Sequence, residues 1–145
     1  MRFAVVLVAL GMAACGGTKA YRYDGAQNVA VRSELESGVR ATLHVHWVDT
    51  NCRTEYQGSL ALDGRSVPVA IPAGRESYLD VTFDTSSFLA GSRRMNAGTL
   101  VRARAGHRYD VGVAYRNSLY QVTVRETDPA GRSRDLPRRG PGACS

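Results

Sequence analysis

The stretch YDVGVAYRNSLYQVTV, residues 109–124, decides the fold class. Apolar and polar side chains alternate on both sides of Asn117-Ser118, and a period of two is typical of a strand with one buried face. A two-residue turn at Asn117-Ser118 places apolar residues opposite one another across the two strands. The pairs are Tyr115 with Tyr120, Val113 with Val122 and Val111 with Val124. Because such cross-strand pairs stabilise a sheet, the stretch predicts an antiparallel hairpin.

The same alternation recurs along the chain. It covers residues 29–35, 39–47, 56–62, 67–71, 77–83 and 100–105. The sequence offers no amphipathic helix of ordinary length, and the apolar content of 43% is ordinary for a folded domain. We therefore expect an all-β fold, a single β-sandwich of about 7–8 mostly antiparallel strands within residues 28–127.

Two connections between these strands carry specific expectations. The pair Asp63-Gly64 is a strong signal for a two-residue hairpin turn. That turn sets Leu60 opposite Val67 and Tyr56 opposite Ile71. Residues 85–98 interrupt the alternation, so they predict the longest loop of the domain.

The beginning of the chain predicts an export signal. Arg2 precedes the apolar run FAVVLVAL, which is too short to span a bilayer as a helix, since that needs about 20 apolar residues. Met12-Ala13-Ala14 stands directly before Cys15 and resembles the lipobox of bacterial lipoproteins. The resemblance implies that residues 1–14 are a signal peptide and that the mature chain begins at an acylated Cys15. The alternative is a plain secreted protein in which this cysteine is incidental.

The resemblance also implies an address. In enteric-type bacteria, an aspartate directly after the lipidated cysteine would resemble an inner-membrane retention signal. Gly16 stands at that position here. We therefore expect a lipid anchor in the outer membrane, with the domain facing the periplasm. Residues 15–27 are rich in glycine and polar side chains, and we expect them to form the lipidated cysteine and a tether.

The cysteine count predicts a disulfide. If Cys15 carries lipid, Cys52 and Cys144 remain, and two thiols in an oxidising compartment are expected to pair. Residues 128–145 are rich in Pro, Gly and Arg and have no strand period, so we expect an irregular tail held by that bridge.

One pair of histidines suggests a metal. His44 and His46 are two residues apart on a predicted strand, so both side chains share a face and could meet one ion. The alternative, which we favour, is two polar residues on the outward face of a half-buried strand. We therefore expect no metal and no cofactor, and we keep a metal-binding protein or metal-dependent enzyme as the competing function.

The arginines suggest an anionic ligand. Lys19 is the only lysine, and the formal net charge is +6. The candidates for binding carboxylate or phosphate are Arg93, Arg94, Arg102 and Arg104, together with the arginines of the tail. Nucleic acid is the usual partner of such charge but is not expected in the periplasm. The alternative is a solvated basic face.

The remaining motifs do not indicate catalysis. The sequence has no Gly-x-Ser-x-Gly elbow, and Ser86 and Ser87 have no histidine nearby in sequence. The alternating strands, the IPAG turn at residues 71–74 and the stretch AGHRYDVGVAY resemble small bacterial lipoproteins with a transthyretin-like or PEGA-like β-sandwich. That resemblance implies a binding or structural role. We therefore expect a non-enzymatic envelope module whose partner is an envelope protein or an anionic envelope polymer.

The anchor is directly testable. Replacing Cys15 with Ser removes the acylated group, so the protein is expected to leave the membrane fraction, because stable anchoring depends on the buried acyl chains at about 0.8 kcal/mol per CH₂. Cell fractionation and intact mass measure both effects. An unmodified residue 15 in the native mature protein would rule out the anchor.

Overall fold

A computed structural model describes residues 18–64, 66–87 and 91–144. Within them lie nine strands and one short 3₁₀ helix. The strands are β1 (Val29–Leu35), β2 (Val39–Val48), β3 (Thr54–Leu62), β4 (Ser66–Val69), β5 (Glu76–Ser87), β6 (Gly91–Arg102), β7 (Arg108–Arg116), β8 (Leu119–Thr127) and β9 (Ser133–Leu136), and the 3₁₀ helix is Pro141–Ala143. The predicted signal peptide and Cys15 lie outside the described residues.

The strands form two sheets that pack face to face. One has the order β4-β1-β7-β8-β9 and the other the order β3-β2-β5-β6. Neighbouring strands are antiparallel except for β1 and β7, which are parallel. The prediction of a mostly antiparallel β-sandwich is confirmed, with nine strands in the described part of the chain where about 7–8 were expected.

The core is built from the inward-facing residues that alternate with outward-facing ones along the strands of both sheets. Leu43, Leu79 and Phe83 of the four-stranded sheet are fully buried, and Val111 and Val113 of the five-stranded sheet are 1% exposed. Full burial of an aliphatic or aromatic side chain of this size stabilises the fold by about 1.5–3 kcal/mol. The period of two read from the sequence is therefore the period of core burial.

The β7–β8 hairpin has the predicted register. Val111 pairs with Val124, Val113 with Val122 and Tyr115 with Tyr120. Asn117 and Ser118 form the turn with φ of 50° and 63°. Two consecutive positive φ values match the twist of the flanking strands, which explains why this short turn fixes the pairing.

The predicted hairpin at Asp63-Gly64 is wrong. Strand β3 pairs with β2, whereas β4 pairs with β1 in the other sheet, so this connection carries the chain from one sheet to the other. The Gly64 backbone N–H donates to Ser33 Oγ at 2.8 Å, which holds the connection against β1. Alternation shows which side chains face the core, but it does not show which sheet a strand joins.

The predicted loop over residues 85–98 is also wrong. Strands β5 and β6 stay paired as far as the described residues go, up to Ser87 and again from Gly91, with Thr85 opposite Arg93 and Ser87 opposite Gly91. Polar and charged side chains occupy much of this part of the hairpin, so the apolar alternation that reveals a half-buried strand is lost.

The segment expected to be a free tether is partly docked. The backbone N–H of Tyr21 donates to Ser59 O at 3.0 Å, and the N–H of Ser59 donates to Lys19 O at 2.9 Å. Tyr21 is 7% exposed, and its hydroxyl donates to Ala70 O at 2.6 Å. A Cβ on Gly58 would lie 2.6 Å from the Tyr21 backbone, so a glycine there admits the segment. Residues 19–21 therefore extend the edge of β3.

The C-terminal tail is ordered by more than its disulfide. Its first part forms β9 against β8, so the expectation of an entirely irregular tail is wrong. Residues 137–144, here called the strap, then reach the edge of β6, where the Leu100 N–H donates to Arg139 O at 2.9 Å. The Cys52–Cys144 disulfide is present and joins the strap to the β2–β3 turn.

Removal of the disulfide tests how firmly the strap is held. The double variant Cys52→Ser, Cys144→Ser opens a loop with a sequence separation of 92 residues. The chain-entropy model then gives a loss of about 4 to 5 kcal/mol in the free energy of unfolding. Denaturant unfolding measures the loss, and limited proteolysis should cut residues 137–144 first. An unchanged unfolding midpoint would show that β9 and the arginine contacts are sufficient.

Candidate functional site

The four arginines proposed from the sequence do not form one patch. Arg93 and Arg94 lie near the start of β6, whereas Arg102 ends this strand and Arg104 follows it. At about 3.3 Å per residue, Arg94 and Arg102 are separated by roughly 26 Å. Arg94 forms an ion pair with Asp84 at 2.8 Å, so it belongs to the β5–β6 hairpin.

The other two arginines meet the tail. Two adjoining cavities of about 290 and 180 Å³ lie where the end of β6, strand β8 and the tail converge, and both are lined by Arg104, Glu126 and Arg134. We call this region the arginine cleft. Its basic residues are Arg102, Arg104, Arg132, Arg134 and Arg139.

The buried carboxylate of Glu126 organises the centre of the cleft. Glu126 is 4% exposed and accepts hydrogen bonds from the Tyr109 hydroxyl at 3.0 Å and from Arg134 Nε at 2.7 Å. Arg104 Nε lies 4.0 Å from the same carboxylate. His107 Nδ1 lies 3.0 Å from Oε1 but is not aligned for a hydrogen bond. Glu126 thus fixes the positions of two guanidinium groups.

The environment of Glu126 keeps it ionised. Burial by itself raises the pKa of this carboxyl, but the hydrogen bonds from Arg134 and Tyr109 and the charges of Arg134 and Arg104 outweigh burial and hold the pKa below its ordinary value. Burial raises the pKa of Tyr109, so its phenol keeps the proton that it donates to Glu126.

The cleft carries more positive than negative charge. Four of its five guanidinium groups contact three carboxylates, and Arg102 Nε lies 3.5 Å from Gly74 O. Arg139 contacts Glu76 and Arg132 contacts Asp128, in addition to the contacts with Glu126. The side chains of Arg104 and Arg134 are 62% and 59% exposed, so donors remain directed at solvent. Such forks bind carboxylate and phosphate oxygens in bidentate fashion.

The histidine pair lies elsewhere, on the outer face of the four-stranded sheet. His44 is opposite Asp80 and His46 is opposite Tyr78 on β5. The ring of Tyr56 lies 6.1 Å from that of His44 and 5.3 Å from that of His46. Among the residues that the structure describes, no three His, Cys, Asp or Glu side chains converge on a position for a metal ion.

Glu126, Tyr109 and His107 were not identified from the sequence. Glu126 continues the inward series of Val122 and Val124 on β8, so a carboxylate occupies a position that the alternation assigns to the core. An ionisable residue at an inward-facing position of a strand needs polar partners when it is buried. The charged residue at this position of the alternation was therefore the signal by which the sequence could have revealed the site. Its partners come from separate segments, which one sequence does not bring together.

Neither a protein-family model nor a curated protein matches the chain. In the described part of the structure, no helix has the length and apolar character needed to cross a membrane. Function is therefore inferred from the geometry of the arginine cleft and of the outer face around His46.

The cleft predicts a pH-dependent stability. Glu126→Gln removes the charge that Arg134 and Arg104 face, and we expect the free energy of unfolding at pH 7 to fall by about 1–3 kcal/mol. The folded pKa of Glu126 is lowered, so its contribution is present above the ordinary glutamate pKa of about 4.3 and is lost as the pH falls through the lowered folded value.

Denaturant unfolding at a series of pH values measures this difference. Asp135→Asn is the control, because Asp135 is an exposed carboxylate paired with Arg125, and it should change stability by at most about 1 kcal/mol. If the difference in unfolding free energy between wild type and Glu126→Gln stayed constant from pH 7 to pH 3, Glu126 would not be the ionised group that stabilises the cleft.

Proposed function

We propose that this protein is a lipid-anchored lipoprotein of the bacterial outer membrane that faces the periplasm and binds an anionic envelope polymer through the arginine cleft. The role is binding or structural, not enzymatic. The observation that carries the proposal is the surplus of guanidinium groups in the cleft, two of which are held by the buried carboxylate of Glu126.

The geometry supports recognition of an extended anion. Glu126 and Tyr109 orient Arg104 and Arg134 before any ligand arrives, which reduces the entropy lost when an anion binds. Both guanidinium groups remain more than half exposed. A polymer with repeated carboxylate or phosphate groups could contact both cavities, which lie side by side.

The properties of Glu126 argue against acid–base catalysis in the cleft. An effective general base has a pKa near the working pH. The pKa of Glu126 is instead held below its ordinary value, and its oxygens already accept hydrogen bonds from Arg134 and Tyr109. The carboxylate therefore acts as a positioning group for the arginines.

The position of the cleft suits a tethered protein. Residues 19–21 dock along β3, and three residues of chain from an acylated Cys15 to Thr18 would span at most about 10 Å. The anchor would then hold the β3 edge close to the membrane. The cleft lies at the β6 edge, three strand spacings or roughly 14 Å further across the sheet. An anchor at Cys15 thus leaves the cleft open to the periplasm.

Binding of two defined polyanions tests the proposal. The mature protein, purified in detergent, should bind polyphosphate or poly-L-glutamate, and the affinity should fall steeply as NaCl rises, since the Debye length drops from about 10 Å at 0.1 M to about 3 Å at 1 M. In the variant Arg104→Gln, Arg134→Gln, the affinity should fall by at least about tenfold. That loss follows because a charged hydrogen bond contributes about 1.5–3 kcal/mol and 1.4 kcal/mol is a factor of ten.

The matched control is Arg32→Gln, Arg125→Gln. These arginines also form ion pairs, with Asp110 and Asp135, but they lie on the outer face of the five-stranded sheet, whereas Glu126 lies on its inner face. The control removes the same charge and should change the affinity less than threefold. Equal loss in both variants would show that only net charge matters, and salt-insensitive binding would point to a packed protein interface instead.

A further inference from the structure

A second concave surface lies on the outer face of the four-stranded sheet. Its cavity of about 540 Å³ falls within the range of small-molecule sites. We call it the histidine–tyrosine face, and the residues that matter are Thr42, His44, His46, Tyr56, Asp80 and Asn96. They come from all four strands of the sheet, so the surface is rigidly held.

We propose that the histidine–tyrosine face binds a neutral glycan chain. This site is separate from the arginine cleft and takes a ligand of different chemistry. The proposal rests on the row of rings, on the mixture of hydrogen-bonding groups beside it and on the charge of the face.

The rings form a continuous row across three strands. His46 on β2 lies between Tyr56 on β3 and Tyr78 on β5, with ring centroids 5.3 Å and 6.1 Å away, and Tyr56 also lies 6.1 Å from His44. Strands are about 4.8 Å apart, so the row extends for roughly 10 Å, the scale of a disaccharide. Tyr56 is 38% exposed. The electron-rich faces of such rings suit the C–H faces of sugar rings.

Polar groups flank this row. Asn96 Nδ2 donates to Asp80 Oδ2 at 3.0 Å, and a carboxylate has further lone pairs that can accept from hydroxyl groups. Thr42 lies on the same face and can both donate and accept. Sugar hydroxyls also donate and accept, so a set that combines carboxylate, amide, imidazole and hydroxyl groups complements them.

The charge of the face selects a neutral ligand. Asp84 is paired with Arg94 at 2.8 Å, and Asp80 adds a negative charge. Burial is the main cause that lowers the pKa of His46, so its imidazole is neutral near pH 7. The cavity is lined by two carboxylates, Asp80 and Asp84, and by Arg94, so the arginine surplus of the cleft has no counterpart among the described residues that line it.

Two segments lie at the two edges of the four-stranded sheet that carries this face. Thr18 lies on the β3 side, ahead of the docked residues 19–21. On the β6 side, Arg138 of the strap donates to Gly98 O at 3.0 Å. Gly98 also lets the Tyr78 ring lie close to β6, because a Cβ there would be 2.5 Å from the Tyr78 hydroxyl oxygen.

Calorimetry with two neutral tetrasaccharides tests the proposal. The probes are β1,4-linked tetramers of N-acetylglucosamine and of glucose, added to the mature protein in detergent. We expect saturable binding of at least one, changed less than twofold between 0.1 and 1 M NaCl. Tyr56→Ala should weaken it at least tenfold, and Asp80→Asn at least threefold, since the amide replaces an acceptor oxygen with a donor.

Matched controls separate the face from general effects. Tyr120→Ala removes a tyrosine of similar exposure, 41%, from the β7–β8 hairpin, and Asp110→Asn neutralises an aspartate of the other sheet. Both should leave the affinity within twofold. The proposal is overturned if neither sugar binds, if Tyr120→Ala weakens binding as much as Tyr56→Ala, or if polyphosphate displaces the sugar.

The variant Arg104→Gln, Arg134→Gln distinguishes the two sites. It should bind the tetrasaccharide as wild type does while it loses polyphosphate binding. Loss of tetrasaccharide binding in this variant would assign the sugar to the arginine cleft and overturn the present proposal. Loss of polyphosphate binding alone would leave the glycan site standing.

Discussion

The constraint on which the structure depends is the closure of two sheets over one set of inward side chains. Leu43, Leu79 and Phe83 face Val111 and Val113, and each of these side chains is buried. With one face of every strand committed to this core, the outward faces and the sheet edges remain available for polar chemistry. Both proposed sites lie there, one on an outer face and one at the edge where the sheets meet.

The strap connects this architecture to the arginine cleft. An edge strand such as β6 exposes unpaired backbone groups, and natural sheets cover such edges. Here the Arg139 carbonyl accepts a hydrogen bond from the Leu100 N–H, and the Arg139 N–H donates to Thr99 Oγ1. The Arg139 guanidinium contacts the buried Glu76 carboxylate. The disulfide at Cys144 closes the far end. Covering the edge of β6 therefore also brings Arg139 beside the end of that strand, so the strap completes the side of the cleft that β9 leaves open.

The sequence predicted the parts of the fold that depend on local pairing. The turn at Asn117 was predicted correctly because turn geometry and the apolar pairs agree within a few residues. The connection at Asp63 was not, because sheet membership depends on distant strands. Residues 85–87, 91–98 and Tyr21 lie in paired backbone with little apolar alternation, so backbone hydrogen bonds order them without a clear side-chain signal. The cleft was only half predicted, since its arginines were evident while the role of Glu126 depends on partners from other segments.

The central claim is that the arginine cleft is the surface that meets an anionic polymer. Hydrogen–deuterium exchange on the mature protein, with and without polyphosphate, tests this claim most directly, because it reports the contact surface without any substitution. Exchange should slow at residues 102–104 and 132–139 and stay unchanged at the Asn117-Ser118 turn. Slowing confined to the outer face of the five-stranded sheet, or none at the cleft under saturating polyphosphate, would contradict the account.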